Sequence, residues 1–72
     1  MLKIGVLGAG QLGQLHIKCL QEIPACNLVG FFDPDDKHAE FAEQMLNTQR
    51  YSYFDKFVQA IDVMDVVDFS IA

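Results

Sequence analysis

At 72 residues and a formal charge of −5, the chain has room for one small domain and shows no basic stripe, so nucleic acid and an anionic membrane surface are excluded as partners. Its apolar share, 51%, is high for a chain able to bury only about 60% of its unfolded surface, so the sequence reads as a piece of something larger or as a chain that pairs with a partner. No apolar run approaches the ~20 residues of a membrane span, and Cys19 and Cys26 are too few for a disulfide framework and lack metal-ligand spacing; the expectation is no metal site and two reduced thiols in the cytoplasm.

The first predicted element is a strand over Lys3 to Leu7. Ile4, Val6 and Leu7 leave little alternation, as in a parallel strand covered on both faces, and Gly5 within it reads as structural. Gly8-Ala9-Gly10-Gln11-Leu12-Gly13 follows at once, and a helical pattern follows that. This is a G-x-G-x-x-G motif with a strand before it and a helix after it. Gly8 permits the tight turn out of the strand. Gly10 lets backbone amides approach a pyrophosphate, and Gly13 lets the helix pack closely on its strand. The phosphates of a dinucleotide would sit at the helix N-terminus, where free N–H groups and the helix dipole favour negative charge. The same stretch has an early Lys3 and apolar residues, but its three glycines and Gln11 fall where the apolar core of a signal peptide would lie.

The helix is predicted over Gln11 to Ile23, with Leu12, Leu15, His16, Cys19, Leu20 and Ile23 as its buried face and Pro24 as its terminator. His16 is expected to pack against the sheet with one ring nitrogen satisfied locally, and Cys19 to be a small core residue. A second strand runs from Asn27 or Leu28 to Phe32 and stops at Asp33, twenty residues past Gly13, where a dinucleotide site wants an acid for the ribose hydroxyls. The alternative for Asp33 is a strand-end residue that merely starts the Asp33-Pro34-Asp35 turn.

A second helix is predicted over Asp35 to Leu46, its acids suiting the N-terminal dipole end and His38, Phe41, Ala42, Met45 and Leu46 forming its buried stripe. His38, at the start of that stripe, is expected to be partly solvent-facing and has no ligand partner near it in sequence. A short strand around Arg50 to Tyr53 comes next. A third helix over Phe54 to Asp62 follows, with Phe54, Phe57, Val58 and Ile61 at core spacing, then a fourth strand over Met64 to Ile71. Asp68 is out of character inside that strand. There is no internal repeat, low-complexity tract or linker. The predicted fold is α/β, a Rossmann-type parallel sheet of four strands in the order 3-2-1-4, with the glycine turn at the switch between the first and fourth strands.

With these residues laid out, the chain resembles the N-terminal segment of the glucose–fructose oxidoreductase and inositol dehydrogenase family. The resemblance rests on IGVLGAGQLGQLH at Ile4 to His16, VGFFDPD at Val29 to Asp35, the spacer YFDKFVQAI, and DVVDFSIA at Asp65 to Ala72. It implies a two-domain enzyme with an N-terminal Rossmann domain that binds NAD or NADP. A C-terminal α/β domain would supply substrate and oligomer contacts. Hydride would pass between the nicotinamide and a hydroxyl-bearing carbon of a sugar, cyclitol or related small molecule. Carried over residue by residue, Gly8, Gly10 and Gly13 match the phosphate turn, Gln11 and Leu12 the residues whose amides face the pyrophosphate, and Asp33 the ribose-binding acid. The family's Thr-Pro step is either replaced by Ile71-Ala72 or, if the register slips by two, lies just past the chain. Its Glu-Lys-Pro motif and distal histidine are absent, so no catalytic residue is assigned.

The resemblance and the residues together predict the N-terminal half of a dinucleotide-binding domain, spanning 1–72, with the substrate domain absent. NAD is expected over NADP, because Asp33 repels a 2′-phosphate and Pro34 and Asp35, not an arginine, come after it. The alternative is a non-catalytic nucleotide-sensing module, since function does not follow from fold; a second α/β domain beyond Ala72 would favour the enzyme, and a linker to a transporter or DNA-binding domain the sensor. The fourth strand would leave Val66, Val67, Phe69 and Ile71 on an open sheet edge, which predicts a homo-oligomer.

Overall fold

A computed structural model describes residues Leu2 to Val67. The elements follow one another as β1 (Leu2–Leu7), α1 (Gln11–Gln21), β2 (Cys26–Phe32), α2 (Asp36–Leu46), β3 (Arg50–Tyr51), α3 (Phe54–Ala60) and β4 (Val63–Val66). The four strands form one parallel sheet in the order β3-β2-β1-β4, as the sequence predicts. The described part of β4 ends at Val66, so Asp68, Phe69 and Ile71 lie outside the described residues.

Side chains of the two central strands alternate between the faces of the sheet, because the strand repeat is two residues. Val6 and Phe31 point to one face and join Ile17 of α1 with Ala39 and Ala42 of α2. Leu7 and Phe32 point to the other and join Phe57 of α3. The sheet is thus covered on both sides, which explains why β1 reads as an almost unbroken apolar run. Gly5 belongs to the α3 side: a Cβ there would lie 2.5 Å from the Phe57 ring, so the glycine lets that ring rest on the strand. Phe32 meets Phe54 edge-on at a centroid distance of 5.4 Å, a favoured aromatic geometry.

The helices are where the fold departs from the periodicity. In α1 the buried residues are Gly13 and Ile17, with Leu20 partly buried against the same core, while Leu12, Leu15, Cys19 and Ile23 are exposed. The predicted face is therefore rotated away from the sheet, and Cys19 is a surface thiol. Gly13 causes this: it must face the Gly8 carbonyl, and the residues one and two turns on, Ile17 and Leu20, follow it inward. The helix also ends at Gln21, so Ile23 and Pro24 belong to the turn into β2.

In α2 the buried residues are Ala39 and Ala42, with Leu46 partly buried; Phe41, Met45 and His38 are exposed. Small side chains let this helix lie close on the sheet, and the bulky ones predicted for the core turn outward. In α3, Phe57 is fully buried and Ile61 packs beside it, whereas Phe54 and Val58 are largely exposed. None of the described helices is long and apolar enough to cross a membrane.

Candidate functional site

The strand-to-helix turn after β1 opens at the C-terminal edge of the sheet, at the switch point between β1 and β4. Gly8 takes a φ of 108° there, a left-handed conformation that a side chain would strain. A Cβ on Gly13 would run into the Gly8 carbonyl, so the first turn of α1 and the end of β1 are in direct backbone contact. Gln14 donates through its side-chain amide to the Ala9 carbonyl at 3.0 Å, bracing the loop from the helix side. Gly8, Gly10, Gln11, Leu12 and Gly13 line a cleft of about 290 Å³ together with Val67, which is held by its N–H to the Leu7 carbonyl at 3.1 Å.

The N-terminus of α1 faces this cleft with its donors free of helical partners. The Gln14 N–H donates to the Gly10 carbonyl, so the amides of Gln11, Leu12 and Gly13 come before the first intrahelical donor. Gly10 is the N-cap and supplies no side-chain bond, and the first turn holds no acid. A Cβ on Gly10 would meet nothing closer than the His38 ring at 3.8 Å, so the space over this glycine is open to a ligand. Free N–H groups, a dipole end and bare backbone are the features that accept an anion such as a pyrophosphate.

Asp33 lies at the end of β2, next to this turn. Its carboxylate is 3% exposed and accepts from the Ala9 N–H at 2.8 Å and from the Asp35 N–H at 2.9 Å. The sequence offers Asp33 as a ribose acid or as a turn residue; the geometry makes it a clamp between β2 and the glycine turn as well. Each carboxylate oxygen keeps a second lone pair, so ribose hydroxyls can be accepted without breaking either bond. Behind it, Arg50 donates to the Asp33 carbonyl at 2.9 Å and pairs with Asp36 at 2.8 Å.

Two histidines border the site. His16, on α1, meets Asp65 of β4 with Nδ1 2.7 Å from the carboxylate. One ring nitrogen is thus satisfied, but by a residue 49 positions away, and the pair ties α1 to the strand across the crevice. Nothing in the local sequence pairs these two residues; only the predicted strand order brings β4 beside β1. His38 lies in the corner between Gly10 and Asp33, with Nδ1 3.6 Å from Asp33 Oδ2 and 3.9 Å from Asp35 Oδ2. The described residues contain no cluster suited to a metal ion.

Residues 2–68 match the family model described as an oxidoreductase family with an NAD-binding Rossmann fold, GFO_IDH_MocA. The chain belongs to the Gfo/Idh/MocA oxidoreductase family. No curated protein sequence matches it significantly. Among solved structures, it is similar to myo-inositol dehydrogenase from Lactobacillus casei in complex with NAD(H) and myo-inositol, at 31% identity and a TM-score of 0.79, over 96% of this chain and 22% of that one. UDP-N-acetylglucosamine 3-dehydrogenase from Acidithiobacillus ferrooxidans superposes with a TM-score of 0.82 at 25% identity, over 93% of this chain and 22% of that one. Scyllo-inositol dehydrogenase from L. casei, with NAD(H) and scyllo-inositol bound, gives 26% identity and a TM-score of 0.77, over 94% and 21% of the two chains. This Gfo/Idh/MocA chain therefore spans little more than a fifth of the length of the structures it matches.

Proposed function

We propose that this chain is the N-terminal half of the dinucleotide-binding domain of an oxidoreductase. The enzyme would pass a hydride between a nicotinamide cofactor and a hydroxyl-bearing small molecule of the sugar or cyclitol class. The observation that carries the reading is the uncapped, glycine-lined N-terminus of α1 facing a cleft, with Asp33 at the end of the adjoining strand. The sugar and cyclitol substrates named for the related structures support the substrate class.

The residues divide the work of holding a dinucleotide. Gly8 and Gly13 shape the turn, and Gly10 leaves room for the pyrophosphate. The amides of Gln11, Leu12 and Gly13 donate to it at the positive end of the helix dipole. Asp33 accepts from the ribose hydroxyls. The nicotinamide, when bound, supplies the hydride chemistry. None of the residues of this chain is assigned a proton-transfer role.

NAD is the preferred cofactor in this reading, because the Asp33 carboxylate suits free ribose hydroxyls and repels a 2′-phosphate. A fluorescence titration of the intact protein with NADH and NADPH tests it. Saturable binding that favours NADH is expected; no binding of either overturns the reading. Asp33→Asn keeps an acceptor for the Ala9 N–H while the surface Asp35 N–H turns to water. It is expected to lower the NADH-over-NADPH preference about tenfold, about 1.4 kcal/mol.

The reading includes a homo-oligomer. Within the described residues β4 is the outer strand beside β1, and Val63 and Val66 are exposed on it. An open apolar edge is a template for pairing. A 72-residue chain that stays monomeric at high concentration in sedimentation equilibrium would overturn this part.

A further inference from the structure

His38 is left over once the glycine turn and Asp33 have been assigned. The ring is 53% exposed, yet it is not a loose surface group. It sits over Gly10 on one side and beside the Asp33 carboxylate on the other. In the dinucleotide reading, which this inference deepens and on which it rests, Gly10 marks the pyrophosphate and Asp33 the adenosine ribose. One side chain lying beside both borders the ribose, at the end where the two cofactors differ by a 2′-phosphate.

The charges around that corner are unbalanced. Asp33 and Asp35 each bring a carboxylate oxygen within 4 Å of the ring's Nδ1. Arg50 lies behind Asp33, on its carbonyl, with one guanidinium nitrogen committed to Asp36. Lys37 neighbours His38 in sequence and is exposed. The glycine turn and the first turn of α1 contribute no ionisable side chain. With the imidazole neutral, a 2′-phosphate would meet mainly carboxylates. With the imidazole charged, it would meet a cation next to the acid that otherwise repels it. Imidazole can hold either charge state, and acid favours the charged one.

We propose that His38 is a second specificity-determining residue of the cofactor site, one that admits a ribose 2′-phosphate when protonated and disfavours it when neutral. The neutral ring still serves NAD, since either imidazole nitrogen can exchange a hydrogen bond with a ribose hydroxyl. NADP affinity should therefore rise relative to NAD as the pH falls. The enzyme's cofactor choice would track the acidity of its surroundings as well as the two cofactor concentrations.

The test is calorimetric titration of the intact protein with NAD⁺ and NADP⁺ at pH 8.0 and pH 5.5, read as the ratio of the two affinities. Taking a ratio cancels effects of pH on folding and on pyrophosphate binding. The cofactor's own phosphate also titrates near pH 6, so the decisive comparison is among variants. In the wild type the ratio should shift toward NADP⁺ on acidification by about five- to tenfold more than in His38→Gln, the size expected of one half-exposed charge pair near 4 Å. His38→Lys should carry the shifted ratio already at pH 8.0. Equal pH dependence in wild type and His38→Gln, with no gain in His38→Lys, overturns the inference while NAD⁺ binding keeps the cofactor reading intact. Failure of the wild type to bind NAD⁺ at either pH overturns both.

Discussion

Helices α1 and α2 both start just beyond the C-terminal ends of neighbouring strands, and their first turns are built in opposite ways. In α2 the N-cap is Asp35, whose side chain accepts from the Lys37 and His38 N–H groups, and Asp36 adds a second acid to the first turn. In α1 the N-cap is Gly10, with no side-chain bond and no acid. Both ends carry the same unpaired donors and the same positive dipole. The α2 end is satisfied by its own sequence, and the α1 end is left for something else. Of these two helix N-termini, the uncapped one is the one that faces the crevice.

The contrast can be broken most severely at Gly13. Gly13→Ala drives a methyl into the Gly8 carbonyl, and neither backbone can yield without parting α1 from β1. A loss of about 3 kcal/mol in unfolding free energy is expected, measurable by urea titration, with cofactor binding lost in the same variant. Wild-type stability in Gly13→Ala would show that the two backbones are not in forced contact.

Gly10→Ala separates function from folding. Gly10 has an ordinary φ of −71°, and the space at its Cβ position is open. Stability should stay within about 1 kcal/mol of wild type, while NADH affinity falls at least tenfold, about 1.4 kcal/mol. Unchanged affinity would mean that the pyrophosphate does not pass over this glycine.

The smallest effect is expected at Asp35. Its carboxyl is held below the usual aspartate range, first by the His38 N–H and, against an opposing effect of burial, by the His38 charge, the Lys37 N–H and the Lys37 charge. A lowered folded value stabilises the ionised state. The contribution is therefore full above the unfolded value of about 3.9 and is lost as pH falls through the lower folded value. Asp35→Ala should lower Tm by a few degrees at pH 7, leave NADH affinity nearly unchanged, and converge with wild type in strong acid. A Tm gap that persists undiminished into strong acid would show that the ionised carboxylate is not the stabilising group.

The sequence discloses the scaffold of this site more readily than its packing. The glycine turn and the position of Asp33 are legible because each rests on local chemistry, a backbone that needs glycine or an acid at a strand end, and the strand order follows from right-handed crossovers. The buried faces of the helices are not legible from hydrophobic spacing. Apolar residues occur on several sides of α1, so the predicted series Leu12, Leu15, His16, Cys19, Leu20 and Ile23 is as regular as the observed one, Gly13, Ile17 and Leu20, and shares only Leu20 with it. The signal that settles the matter is Gly13 itself, since a glycine required for close packing fixes which side of the helix faces the strand. In α2 the small Ala39 and Ala42 take the core and the large Phe41 and Met45 do not, which hydrophobicity alone ranks the wrong way. The second task of Asp33, holding the Ala9 N–H, and the His16–Asp65 pair both depend on contacts between elements distant in sequence.

The bond from Ala9 to Asp33 bears on how such a protein could change its cofactor over evolutionary time. The residue proposed to select the ribose, Asp33, is also the acceptor for a buried donor in the turn. A mutation that removes the carboxylate to welcome NADP also orphans that amide, at a cost of about 1–3 kcal/mol. The viable first steps are then confined to side chains that can still accept at this position, such as Asn. A larger switch would need a prior stabilising change elsewhere. A neighbour such as position 38, whose side chain holds no donor of the turn, can vary freely and is the easier place for cofactor preference to drift.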